Sequence, residues 1–178
     1  MEVDHERLSA PRNRAMEIRG ALETDFDAMW SIFQSVVASG DTYVFSPTTT
    51  RQDAFGYWFG PGMASYVATD GSVVLGMYKL RANQRDLGSH VANASFMVNP
   101  TAQGLGVGKA LGQHCLAEAR RAGYIAMQFN FVVSTNTGAV SLWKRLGFSI
   151  VGTVPKAFKH QLLGYVDVYV MHRFLNDG

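Results

Sequence analysis

The stretch Phe96–Gly123, FMVNPTAQGLGVGKALGQHCLAEARRAG, decides how the rest of the chain is read. It spells a strand end, a tight glycine-rich turn and one amphipathic helix. Asn99-Pro100 stops the strand, because proline brings no ladder donor and restricts the residue before it. Gly104, Gly106 and Gly108 then alternate with Leu105, Val107 and Lys109. Glycine leaves main-chain N–H groups unshielded and tolerates positive φ. A helix start behind such a turn adds orphan donors and the positive end of the macrodipole, a combination suited to a phosphate or pyrophosphate. Leu111, Cys115, Ala119 and Ala122 mark the helix's apolar face, and Gly123 suits its stop.

Two phosphate-loop patterns fail here. A Walker loop requires glycine where Gln103 stands and a hydroxyl after the lysine, where this chain has Ala110. A dinucleotide fingerprint needs GxGxxG and a later carboxylate, but the glycines run GxGxG and the next strand ends in Val132-Val133-Ser134. Gln103, Gly106 and Gly108 do satisfy [RQ]xxGx[GA], and so the turn resembles the acetyl-CoA loop of the GNAT acetyltransferases. A glycine turn without a ligand remains the alternative reading. A second segment, Asn136-Thr137-Gly138-Ala139-Val140-Ser141-Leu142-Trp143-Lys144-Arg145-Leu146-Gly147-Phe148, resembles the family's NxxAxx[LF][YW]xxxGF element. It also reads as an ordinary helix capped by Asn136 and stopped by Gly147, and the two readings are compatible.

The resemblance covers residues 16–175. It implies an α/β (α+β) GNAT fold, a mixed and mostly antiparallel sheet of about seven strands flanked by about four helices. It also implies an N-acetyltransferase that takes acetyl-CoA as co-substrate, without a metal. Carried over position by position, cofactor contacts fall on Phe96, Met97, Val98, Gln103, Gly104 and Leu105. They continue through Gly106, Val107, Gly108 and Lys109 to Asn136, Ala139, Leu142 and Trp143. Val98 matches the residue whose main-chain N–H polarises the thioester carbonyl, the fixed donor such chemistry requires, and Asn136 is the second catalytic candidate.

The chain departs from the family's commonest pattern at its proton handlers. The usual acid is a tyrosine where Trp143 stands, and indole has an N–H donor without an accessible acid pKa. Strand His90–Val98 lacks the glutamate often used as base and offers Asn93 and Ser95. Tyr43, Asp41, His90 or ordered water are then left to carry protons, or catalysis rests largely on positioning. Asparagine is disfavoured in strands and costly to bury unpartnered, which draws attention to Asn93 and Asn130. Local strings around both resemble a GNAT subgroup that acetylates small amino or imino acids. Asn93, Asn130, Asp41 and Tyr43 are the acceptor-site candidates, against structural roles for each.

The remainder is consistent with one domain of 178 residues, 47% hydrophobic and 12% aromatic. Sixteen basic against fourteen acidic residues leave +2, which argues against nucleic acid as a partner. No apolar run is long enough for a membrane span. A single cysteine, Cys115, fits a reducing compartment, so a cytoplasmic protein is expected. Residues 1–15 are polar and read as a mobile extension ahead of a domain at 16–178.

In chain order the patterns predict β-α-α-β-β-β-α-β-α-β-β. Thr24 is expected to cap the first helix, and Thr50-Arg51-Gln52-Asp53 to open the second. Asp70-Gly71 should turn a hairpin, and 155–160 should form a loop over the acceptor end. His114 is expected on the surface. Asp167 and Tyr169 share a face of the last strand, which leaves a homodimer open. The function classes in play are a small-molecule N-acetyltransferase, a protein or peptide acetyltransferase, and a non-catalytic acetyl-CoA-binding module.

Overall fold

The computed structural model describes residues 15–176. The expected extension lies outside the described residues except for Ala15. Seven strands form one sheet: β1 (Glu17–Gly20), β2 (Ala64–Asp70), β3 (Val73–Ala82), β4 (Val91–Val98), β5 (Ala126–Val133), β6 (Ser149–His160) and β7 (Gly164–Phe174). Four helices accompany them: α1 (Phe26–Ala38), α2 (Arg51–Phe59), α3 (Val107–Arg121) and α4 (Thr137–Arg145). The element order is the one the hydrophobic periodicities predict.

The spatial order is β1-β2-β3-β4-β5-β7-β6, antiparallel everywhere except between β4 and β5. Alternation along the strands separates two apolar layers. Val67, Met77 and Met97 turn to one face, where Phe26, Met29, Phe33 and Trp58 of α1 and α2 cover them. Ala68, Tyr78, Leu80 and Ala94 turn to the other, beneath Leu111, Cys115 and Ala119 of α3 and Trp143 of α4. Cys115 is thus a core residue, and burial raises its thiol pKa. His114 is not a free surface group, since its Nδ1 lies 2.8 Å from the Tyr78 hydroxyl.

Thr50 caps α2 as expected, accepting from the Asp53 N–H at 3.1 Å. Thr24 does not cap α1. A 3-10 turn, Glu23–Asp25, precedes that helix. Asp25 accepts the Leu22 N–H at 2.8 Å and grips Arg19 through two bonds of 2.7 and 2.8 Å. A bidentate ion pair across β1 outweighs the weaker hydroxyl cap.

Residues 155–160 are strand, not loop. Phe158, Lys159 and His160 pair with Val166, Tyr165 and Gly164, beyond a register shift between Val154 and Phe158. The bulge absorbs Pro155, which has no ladder donor. Lys156, at φ 52°, donates its N–H to Asp167 Oδ1 at 2.9 Å. His160 Nδ1 closes the hairpin by accepting from the N–H groups of Leu162 and Leu163, and the Gln161 N–H reaches Gly40 O at 3.0 Å. Asp167 and Tyr169, the residues suggested for dimer contacts, are engaged within the chain: Asp167 by Lys156 and Tyr169 against the α3–α4 core.

Candidate active site

The one parallel pair is also the shortest ladder at the centre of the sheet. β4 and β5 pair only at Val91–Ala126 and Ala92–Met127, and then part. β5 bends at that point, because its register with β7 shifts between Phe129 and Val132. The direction of each β4 main-chain group follows from alternation. His90 O accepts from Ile125 of the β5 side, whereas Val91 O and the Asn99 N–H bond residues of the β3 side. Even-numbered residues therefore aim their N–H and C=O into the parting. Those of Phe96 are taken, because the Tyr43 hydroxyl donates to the Phe96 carbonyl and accepts its N–H at 3.0 Å. The N–H of Val98 faces the same slot with no strand opposite, which suits a carbonyl oxygen that gains charge. Met97 contributes nothing there: its main chain pairs with β3 at Met77, and its side chain is buried beneath α1 and α2.

Beyond Val98 the chain turns through a 3-10 segment, Pro100–Ala102, into the glycine turn. Gly104 and Gly106 stand at φ 80° and 78°, and Gly106 is the residue at which α3 begins. A Cβ on either would meet nothing within 4 Å, so the glycines serve backbone conformation and leave open space before the turn. Among the described residues, the N–H groups of Gly104, Gly106, Val107, Gly108 and Lys109 have no protein acceptor. Leu105 departs from expectation, because its N–H is bonded to Ala102 O at 3.3 Å. Five converging free amides at a 15-residue helix N-terminus fit the diphosphate of a coenzyme A. The exposed side chains of Gln103 and Lys109 flank them.

α4 forms the opposite wall. Asn136 caps it, its Oδ1 accepting the Ala139 N–H at 3.2 Å, and its Nδ2 keeps no partner among the described residues. Trp143 packs on Phe96 and Phe129, with ring centroids 4.8 Å away in each case, and Leu142 lies 3.5 Å from where a Gly108 Cβ would stand. Aromatic contacts of this kind contribute about 0.5–1.5 kcal/mol each beyond buried area. They also keep that wall dry.

A cavity of ≈ 460 Å³ occupies the parting, lined by Tyr43, Asn93, Phe96, Asn130, Asn136 and Trp143 among others. Val98 and the glycine turn lie beyond it, toward the C-terminal end of β4. Among the described residues no Asp, Glu, His, Lys or Cys lines this cavity. Asp41 is not brought in, since it accepts the Ser39 hydroxyl at the end of α1. Tyr43 does reach the cavity, but its hydroxyl is occupied by Phe96 and burial raises its pKa well above the usual value. Of the side chains considered from sequence as proton handlers, Asp41 and His90 do not line the cavity and the Tyr43 hydroxyl is already engaged.

Three residues not singled out from sequence stand in or behind this wall, and of them only Tyr57 lines the cavity itself. Asn83, just after β3, has an Oδ1 that accepts from Asn93 Nδ2 at 3.0 Å and from Asn130 Nδ2 at 2.7 Å. Tyr57, on α2, donates to Ser95 Oγ at 2.7 Å. Lys79 of β3 is 4% exposed, donates to the Tyr57 carbonyl at 2.9 Å, and sits 3.0 Å from the centre of the Tyr57 ring. Burial, with Arg81 as a lesser cause, lowers its pKa to about 7. Lys79, Arg81, Asn83, Asn93 and Ser95 are odd-numbered like Met77 and Met97, so they share the α1–α2 side of the sheet. A lone lysine inside the apolar run Val73–Leu80 was the available sequence signal for this wall. Among the described residues, no group of three or more His, Cys, Asp or Glu gathers as a metal site would require. No helix there is long and apolar enough to cross a membrane.

Comparison with known proteins adds three findings. Residues 26–148 match the Acetyltransferase (GNAT) family. N-acetyltransferase aca1 of Schizosaccharomyces pombe is 28% identical over 153 residues, which are 75% of this chain and 72% of that protein. A GCN5-related N-acetyltransferase from Kribbella flavida is 44% identical and superposes with a TM-score of 0.86, covering 90% of this chain and 98% of its own. A GNAT superfamily phosphinothricin acetyltransferase from Sinorhizobium meliloti, solved with acetyl-CoA, shares the fold at 22% identity. Its TM-score is 0.81, with 92% of this chain and 90% of that one covered.

Proposed function

This chain belongs to the GNAT acetyltransferase family, and from that premise we propose that it acetylates the amine of a small amino or imino acid. Enzymes of the family are N-acetyltransferases that use acetyl-CoA, which supplies an activated acyl group. The free amides of Gly104 and of residues 106–109 are assigned to its diphosphate. The Val98 N–H is assigned to the carbonyl oxygen, and Asn136, Ala139, Leu142 and Trp143 to the wall along the pantetheine arm. Trp143 excludes water from that wall and donates no proton to the sulfur. Asn93 and Asn130 hold the acceptor.

One observation carries the acceptor class. The α1–α2 side of the cavity presents amide N–H groups, with Arg81 of β3 on the same side of the sheet and no carboxylate among the described lining residues. Such a wall favours a molecule that brings its own negative charge, and it disfavours polyamines or a lysine-rich peptide. With no base in the lining, the amine has to lose its proton before it enters.

The test is thiol release from acetyl-CoA against a panel of amines: amino and imino acids, their decarboxylated counterparts, diamines and short peptides. Preferential turnover of the carboxylate-bearing compounds supports the proposal, and preferential turnover of diamines or peptides refutes it. A thermal shift with acetyl-CoA and no thiol release from any amine would indicate a binding module instead.

A further inference from the structure

The parallel ladder stops at Ala92 and Met127, and side-chain amides take over at the vertex where the strands part. Asn83 is fixed by its own main chain, whose N–H donates to Val91 O at 2.8 Å. Its Oδ1 lies within hydrogen-bond distance of Nδ2 atoms from both strands, 3.0 Å from Asn93 and 2.7 Å from Asn130. Gln128 Nε2 adds a bond to Asn130 Oδ1 at 2.9 Å. A carbonyl oxygen has two lone pairs, and Asn83 has committed both. Each of Asn93 and Asn130 then retains one N–H, and their shared acceptor governs how those two are turned. Asn93 and Asn130 line the cavity, whereas Asn83 does not.

We infer that Asn83 is a specificity-determining positioning residue: a neutral acceptor that aims the remaining N–H groups of Asn93 and Asn130 at the carboxylate of the acceptor. The inference rests on the amino- or imino-acid reading above. Neutrality is the essential property. An aspartate in the same place would still accept from both asparagines, and so would keep their geometry. It would also set a negative charge one residue's length from the substrate's own. An alanine would release both amides without adding charge.

The experiment compares an accepted amino or imino acid with its decarboxylated amine in the wild type, Asn83→Asp and Asn83→Ala. In Asn83→Asp the KM of the acid should rise tenfold or more, as expected for like charges a few Å apart in a partly buried site. The KM of the decarboxylated amine should stay level or fall, and kcat and the KM for acetyl-CoA should hold in both cases. Asn83→Ala should raise the acid's KM by less and leave the amine's unchanged. Equal shifts for both amines, or a loss confined to kcat, would reduce Asn83 to a structural tie. Unchanged kinetics in both variants would remove it from the site. A wild type that turns over amines but none with a carboxylate overturns the amino-acid reading itself, and the role of Asn83 with it.

Discussion

Gly106→Ala separates the two duties assigned to the glycine turn. Gly106 stands at φ 78°, and a Cβ there meets nothing within 4 Å. The whole stability cost is therefore conformational, about 1–2 kcal/mol for an L-residue in the left-handed region. At about 2–4 °C per kcal/mol for a chain of this length, Tm should fall by roughly 2–8 °C. If the backbone instead relaxes out of that region, the N–H groups of residues 106–109 no longer converge. Loss of one charge-assisted hydrogen bond, about 1.5–3 kcal/mol, corresponds to roughly a 10- to 150-fold weaker Kd for acetyl-CoA. Gly108→Ala is the control. Its φ is not in the left-handed region and its Cβ would make ordinary contacts of 3.5 and 3.8 Å with Leu142 and Val98. It should gain about 0.5–1 kcal/mol of helix stability and leave Kd within about twofold. Differential scanning calorimetry gives Tm, and titration calorimetry with acetyl-CoA gives Kd. A lowered Tm with wild-type Kd marks a turn that kept its conformation, and a weakened Kd marks one that relaxed; a Gly106→Ala protein with both wild-type Tm and wild-type Kd would refute the reasoning.

Asn93→Ala and Asn130→Ala should each raise the acceptor KM with little change in that of acetyl-CoA, and unchanged steady-state kinetics in both would take the pair out of the site. Lys79 loses its proton near pH 7 in the folded chain, whereas the unfolded chain keeps it to about pH 10.4. The unfolded state binds more protons across that window, so this residue makes stability rise with pH from about 7 upward. Urea midpoints at pH 7, 8 and 9 should show that rise in the wild type and lose it in Lys79→Met; parallel curves would contradict the burial argument. Trp143→Phe should keep kcat within about threefold, since indole provides no acid, and a hundredfold loss in stopped-flow thiol release would show that the N–H itself is needed. With no base in the cavity lining, kcat/KM should climb with pH along the acceptor's own ammonium titration, and a plateau far below that pKa would reveal a hidden base.

The features legible in the sequence were those written in main-chain requirements. Glycines at 104 and 106, Pro100, and Asn136 at a helix start each announce a backbone conformation, and all of them sit where the patterns put them. Asn93 and Asn130 stood out because amides are costly in strands, and the structure does bring them together. Asn83 was silent, since a polar residue in a polar connection carries no anomaly. Tyr57 carried no signal of its own, being one aromatic among Phe55, Trp58 and Phe59. Pro155 misled, because a proline breaks a ladder only where no bulge takes it up. Asp41 and Met97 share a reason: position along the chain does not reveal which way a side chain turns, and here one accepts the Ser39 hydroxyl just past α1 while the other faces the opposite layer.

A sheet that parts in its middle has four borders rather than two, and the inner pair is exposed to any extended segment seeking a hydrogen-bonding template. Tyr43 bears on that hazard. By holding both main-chain groups of Phe96, its phenol blunts the inner border of β4 midway along its free length. The loop that carries it is in turn pinned from behind by the Gln161–Gly40 bond at the tip of the β6–β7 hairpin. The β6–β7 hairpin thus helps hold in place the phenol that occupies that border.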